Sequence, residues 1–123
     1  MIARINHVQI TIPVGDEETA RAFYCGVLGL REIAKPESLR QNGGFWLDVG
    51  EIQLHIGVEN HDHRSSTKAH VAYQVKNLNQ WRERFQGLGL LVKENTPVLG
   101  VDRFDSRDPF GNRIELMEVM EHP

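Results

Sequence analysis

INHVQITI at Ile5–Ile12 and KAHVAYQV at Lys68–Val75 each set a histidine at the head of a strand whose apolar and polar residues alternate. His7 precedes His70 by 63 residues (70 − 7), and IQLH from Ile52 precedes IELM from Ile114 by 62 (114 − 52). Between these pairs, AFYCGVLGL ending at Leu30 matches RFQGLGL ending at Leu90, each closing an amphipathic helix on a glycine-containing turn. A period of this length means one supersecondary unit used twice.

Side chains alternate along a strand, so the repeat superimposes polar groups that a single pass would leave unrelated. His7, Gln9 and Thr11 share one face, with Val8, Ile10 and Ile12 on the other. His70, Ala72 and Gln74 repeat that face, opposite Val71, Tyr73 and Val75. Later in each copy Gln53 and His55 stand opposite Ile52, Leu54 and Ile56, and Glu115 stands opposite Ile114 and Leu116. Each copy thus has an apolar face, against which helices can pack, and a wet one.

The coarse reading is a strand over 3–12, a helix over 16–28 and strands near 30–35, 44–49 and 51–58. It repeats as a strand over 68–76, a helix over 78–88 and strands near 90–94, 101–107 and 112–119. Glu17 and Glu18 suit the positive end of the first helix, Gly29 can close it, Asn77 or Asn79 can cap the second, and Gly87 or Gly89 can end it. DPFGN at 108–112 reads as a tight turn into the last strand. The fold class is α+β: two βαβββ modules in tandem, 1–58 and 68–119, joined by the polar linker 59–67 within a single domain. A module of about 60 residues buries little surface alone, so the two pack together or pair with modules of another chain. Two wet faces brought together enclose a cup, and His7, Gln53, His70 and Glu115 all point into it.

Composition narrows the classes. The 123 residues are 40% hydrophobic and 25% charged, and no apolar run approaches the roughly 20 residues of a membrane span. MIARINHVQI has no apolar signal core, so a cytoplasmic protein is expected. The net charge is −3 and the basic residues are dispersed, which argues against a nucleic-acid surface. The lone Cys25 excludes an intramolecular disulfide and reads as a packing thiol; His61 and His63 read as a solvated loop.

Two imidazoles and a carboxylate, with an amide as a fourth group, suit a divalent transition metal: Ni, Co, Mn, Fe(II) or Zn. His7, Gln53, His70 and Glu115 are the candidate ligands. His55, on the same face as Gln53, either replaces it or acts as a general acid or base. Arg64, Lys68, Lys93 and Arg103, near loops or strand ends, are candidate cations for an anionic or oxygen-rich substrate. Phe45, Trp46 and Phe104 are candidates for an apolar wall or for the core, and Trp81 reads as packing.

The HV strand, AFYCGVLGL, the second HV strand and RDPFGNRIELME together resemble the vicinal oxygen chelate superfamily over nearly the whole chain. That superfamily includes glyoxalase I, extradiol dioxygenases, fosfomycin-resistance thiol transferases, methylmalonyl-CoA epimerases and bleomycin-binding proteins. The resemblance implies paired βαβββ modules, usually in dimers, a cupped site, and a metal held at the positions of His7, Gln53, His70 and Glu115. It also implies a proton-shuttling role for Glu115. Bacterial glyoxalase I has glutamate where this chain has Gln53, which leaves only Glu115 as a metal-bound base. The His, Gln, His, Glu quartet is similar to that of methylmalonyl-CoA epimerase, with Asp48 and Glu51 as the available partner bases. NTPVLGVDRFDSRDP lacks the serine- and tyrosine-containing loop of the fosfomycin enzymes.

The expectation is therefore a homodimeric, metal-dependent, glyoxalase-like lyase or isomerase acting on a small oxygen-bearing substrate, with Glu115 and His55 as catalytic candidates. Arg64, Lys68, Arg103, Phe45 and Trp46 are its substrate-binding candidates. A metal-free drug- or metabolite-binding module is the alternative from another class. Fe(II)-dependent ring cleavage, with His7, His70 and Glu115 as a facial triad, is a third reading.

Overall fold

The computed structural model describes residues 1–120, which divide into two compact units, Met1–Asp62 and the chain from His63 onward. In unit 1, β1 (His7–Ile12) leads to α1 (Glu17–Arg21), which widens into a π-helical segment (Ala22–Val27). Then come β2 (Arg31–Ile33), a 3₁₀ segment (Glu37–Asn42), β3 (Phe45–Val49) and β4 (Ile52–Val58). The sheet order is β1-β4-β3-β2, parallel between β1 and β4 and antiparallel elsewhere. Unit 2 repeats the plan with β5 (His70–Gln74), α2 (Leu78–Gly87), β6 (Lys93–Glu94), β7 (Val101–Arg107) and β8 (Arg113–Val119), in the order β5-β8-β7-β6. These are the two βαβββ modules.

The apolar faces become the cores. In unit 1, Ile12, Phe45, Leu47, Leu54 and Ile56 from the strands and Ala20, Phe23, Tyr24 and Leu28 from the helix are buried. In unit 2, Tyr73, Phe104, Ile114 and Leu116 meet Leu78 and Phe85. Phe85 and Phe104 pack edge to face at 5.5 Å, a favoured aromatic geometry.

Four local features depart from the sequence reading. The first helix is not α-helical to residue 28: Leu28 N–H donates to the Phe23 carbonyl at 2.9 Å, a five-residue step that leaves both side chains buried. Both helices end on a left-handed glycine, Gly29 (φ 77°) and Gly89 (φ 72°). The closing bond is Leu90 N–H to Phe85 O in unit 2 but Leu30 N–H to Tyr24 O in unit 1, one residue wider. The π segment thus accommodates an extra residue between two equivalent ends.

Asn77 takes the N-cap position of α2, in a left-handed conformation (φ 57°), but its side chain makes no capping bond. The Glu118 carboxylate, reaching from β8, accepts the backbone N–H groups of Asn77 and Leu78, both at 3.1 Å, so an anion satisfies the exposed donors at the positive helix end. The 3₁₀ segment was not anticipated, and the outer strands β2 and β6 are shorter than expected.

The DPFGN turn forms as read. Asp108 Oδ1 accepts N–H bonds from Phe110 (2.9 Å) and Asn112 (2.8 Å), while Gly111 takes φ 97°. Gly44 answers a different need: a Cβ there would lie 2.0 Å from the Ile56 carbonyl oxygen, so the strand entry requires glycine.

Candidate functional site

On the wet face of unit 1, pairing places His7 opposite Gln53, Gln9 opposite His55, and Trp46 opposite His55 from the other side. The rings stack as this register dictates. His55 lies between His7 (4.0 Å, 14° between planes) and Trp46 (3.9 Å, 3°), and is only 5% exposed. Desolvation lowers its pKa, with His7 and Lys35 adding repulsion, so the ring is held toward its neutral form. An amide oxygen can only accept, so the 2.9 Å contact is His55 Nε2–H donating to Gln53 Oε1. His55 therefore orients Gln53 and supports His7. Beside this stack an open cleft of about 480 Å³ is lined by His7, Gln9, Lys35, Asn42, Trp46 and His55, among others.

Unit 2 carries ions where unit 1 carries rings. His70 stands opposite Arg113, and Glu115 stands opposite Ala72, two residues further along. An even displacement keeps both on one face. The Lys68 carbonyl accepts the His70 Nδ1–H at 2.9 Å, so Nε2 bears the lone pair. That Nε2 faces Glu115 Oε1 at 3.6 Å. Arg103 donates to the same Glu115 oxygen at 3.2 Å, and Glu115 is 5% exposed. A fixed tautomer with its free nitrogen turned toward a buried carboxylate is an arrangement suited to a cation between them.

The donor set is nitrogen and oxygen without thiolate, and the oriented His70 fits a divalent metal. Among the described residues, however, no group of three or more His, Cys, Asp or Glu could hold a metal. Each unit carries a pair of the candidates: His7 with Gln53, and His70 with Glu115.

The remaining candidates are dispersed. Trp46 is on the wet face, but Phe45, its neighbour in the strand, points the other way: it is buried in the core with the Arg21 guanidinium 4.6 Å over its ring. Phe45 is thus core and not substrate wall, as strand alternation requires. Phe104 is core as well. Arg64, expected at a loop rim, is 4% exposed. Lys68 is exposed and acts on the site through its carbonyl. Lys93 is exposed opposite Asp105. Asp48 is tied to Arg31 at 2.8 Å, and Glu51 is exposed in the β3–β4 turn. Trp81 packs against Phe85. His61 lies 3.1 Å from Glu59. Cys25 is half-buried, and burial pushes its thiol pKa up, which disfavours the reactive thiolate. The sequence reading passed over Lys35, Asp105, Arg107 and Arg113. The last two flank the DPFGN turn, and that position was the available signal.

No helix among the described residues is long and apolar enough to cross a membrane. The family model described as Glyoxalase/Bleomycin resistance protein/Dioxygenase superfamily matches residues 4–116. Lactoylglutathione lyase of Salmonella typhimurium is 29% identical over 120 residues, 88% of each chain. A structure described as of the glyoxalase family, from Bacillus anthracis, aligns with a TM-score of 0.89 and 42% identity over 97% of each chain. A mutant of the fosfomycin resistance protein FosX from Listeria monocytogenes, solved with Mn(II) and 1S,2S-dihydroxypropylphosphonic acid, shares the fold. Its TM-score is 0.80 at 21% identity, covering 98% of this chain and 95% of that one. The repeated βαβββ plan, the paired histidine strands and a family match across both units make this chain a member of the Glyoxalase/Bleomycin resistance protein/Dioxygenase superfamily.

Proposed function

We propose that the protein is a metal-dependent lyase or isomerase of glyoxalase type, acting on a small substrate that chelates through oxygen. The observation that carries this reading is His70: its tautomer is set by the Lys68 carbonyl and its free Nε2 is turned toward the buried Glu115. His7, Gln53, His70 and Glu115 would hold the ion, with one pair from each unit, drawn from one chain or from two copies in a homodimer. A divalent ion bound there would polarise a substrate carbonyl and stabilise the negative charge that develops when a neighbouring proton leaves.

The chain's own groups divide the remaining work. Glu115 is the proton acceptor, since its carboxylate is the only one among the four candidate ligands. Arg103 holds the same carboxylate oxygen and fixes where it points. His55 positions the amide of Gln53 and, kept toward neutrality, adds no charge to the site. The name of the Salmonella relative supplies the first assay, lactoylglutathione formation and breakdown, with Ni, Co, Mn, Fe or Zn added in turn. The reading expects turnover with at least one metal and a loss of about 100-fold or more in His70→Ala. Activity unchanged in that variant would contradict it.

A second reading, small-molecule binding without metal, is favoured by the unit 1 cleft and its Trp46 and Lys35 lining. It expects ligand binding that survives His70→Ala and needs no divalent ion.

A further inference from the structure

On the wet face of unit 2, β7 and β8 place Arg107 directly opposite Arg113. Like charges directly opposed on antiparallel strands are destabilising. One carboxylate offsets the pair: Asp105 reaches Arg113 Nη2 at 3.0 Å and also accepts Asn95 Nδ2–H at 3.0 Å. Arg107 reaches no carboxylate among the described residues, and its bond goes to the neutral Gly111 carbonyl at 3.0 Å. Arg113 Nε–H is buried without a partner among the described residues. Such a donor is unfavourable while unsatisfied.

The same face also carries Lys93, opposite Asp105, and Arg103, so among the described residues four cations meet two carboxylates, Asp105 and Glu115. This surplus sits in a chain whose net charge is −3. A cavity of about 260 Å³ opens here, lined by Lys93, Asn95, Asp105, Arg107 and Arg113 among others. Its room and its convergent N–H groups match one carboxylate, phosphoryl or phosphonyl group rather than an apolar body.

We infer that Arg107, Arg113 and Lys93 form an oxyanion subsite in unit 2, beside His70, which takes an anionic group of the substrate. The inference deepens the proposed function, on which it relies only for placing the subsite next to a chelating pair. An anion seated between the two guanidinium groups relieves their repulsion. Asp105 holds Arg113 in place and excludes a second anion. The substrate class is then an oxygen chelator that carries a separate negative group.

The test is calorimetric titration of the full chain, stripped of metal by a chelator that is then removed, with inorganic phosphate and separately with acetate. Arg107→Gln is the variant of choice because its native partner is a backbone carbonyl, and Arg40→Gln, an exposed cation on unit 1 outside the cleft, is the control. The expected result is binding of at least one anion, weakened about tenfold by Arg107→Gln and unchanged by Arg40→Gln. Tighter phosphate binding assigns the subsite to phosphoryl or phosphonyl groups, and tighter acetate binding assigns it to carboxylates. Binding of neither anion, or equal binding in wild type and Arg107→Gln, would overturn the inference. Since both arms lack metal, failure of the metal-dependent reading leaves this result intact.

Discussion

The two units put different chemistry on equivalent backbone positions. Opposite Gln53 and Glu115 stand Asp48 and Asp105; opposite His55 and Met117 stand Trp46 and Arg103. Unit 1 stacks His7, His55 and Trp46 beside the Gln53 amide, whereas unit 2 has Met117 at the position of His55, Arg103 at that of Trp46 and Glu115 at that of Gln53. A repeat therefore fixes which face each residue occupies and leaves its chemistry free to diverge.

The largest expected effects test whether each unit closes its own core. Phe45→Ala and Phe104→Ala, in units 1 and 2, should each cost about 3–5 kcal/mol in urea unfolding, because both rings are buried under an arginine and against a helix. A cost below about 1 kcal/mol at either would break the symmetry of the two cores. Next come two left-handed glycines with different surroundings. Gly44→Ala in unit 1 drives a Cβ into the Ile56 carbonyl and should cost about 2–4 kcal/mol, while Gly89→Ala in unit 2 meets open space and should cost about 1 kcal/mol. Equal costs would show that φ alone, and not the close approach, decides.

Smaller effects sharpen the contrast. Arg82 in unit 2 binds Asp102 and Glu94 above the Phe104 ring, as Arg21 in unit 1 binds Glu18 and Glu32 above Phe45. The Arg82 hydrogen bond holds the Asp102 carboxyl below its ordinary value. The unfolded carboxyl titrates near 3.9, so this contribution is present above about pH 4 and fades as pH falls through the depressed folded value. Asp102 is 43% exposed, so solvent screening keeps the effect below about 1 kcal/mol. Asp102→Asn should flatten the acid limb of stability against pH; an unaltered limb would remove Asp102 as its source. Smallest is Tyr73→Phe, whose hydroxyl is buried without a partner among the described residues. Chemical denaturation should show a change of about 0–1 kcal/mol toward greater stability, because unit 1 fills the equivalent position with Ile10. A clear loss would reveal a bond to that hydroxyl.

Most of the fold was legible because it rests on local alternation. HVQITI and IQLHIGV show their two faces directly, and β7 runs over the residues expected of it. What escaped depends on contacts distant in sequence. Nothing near Asn77 announces that Glu118 caps α2, and nothing in HDHRSST announces that Arg64 is buried. Phe45 was legible and misjudged: it adjoins Trp46 in a strand, so the two could not share the site face. The candidate ligands' faces were likewise readable from alternation, whereas the His55 stack and the Arg107–Arg113 opposition needed the register between strands.

We propose that His7, Gln53, His70 and Glu115 serve one ion. Metal content by plasma mass spectrometry on untagged protein tests it directly, comparing wild type with His7→Ala from unit 1 and with the double variant His70→Ala, Glu115→Ala from unit 2. The expected result is about one divalent metal per chain in the wild type, lost in both variants. No metal after reconstitution with Ni, Co, Mn, Fe and Zn, or metal retained when either pair is broken, would contradict it.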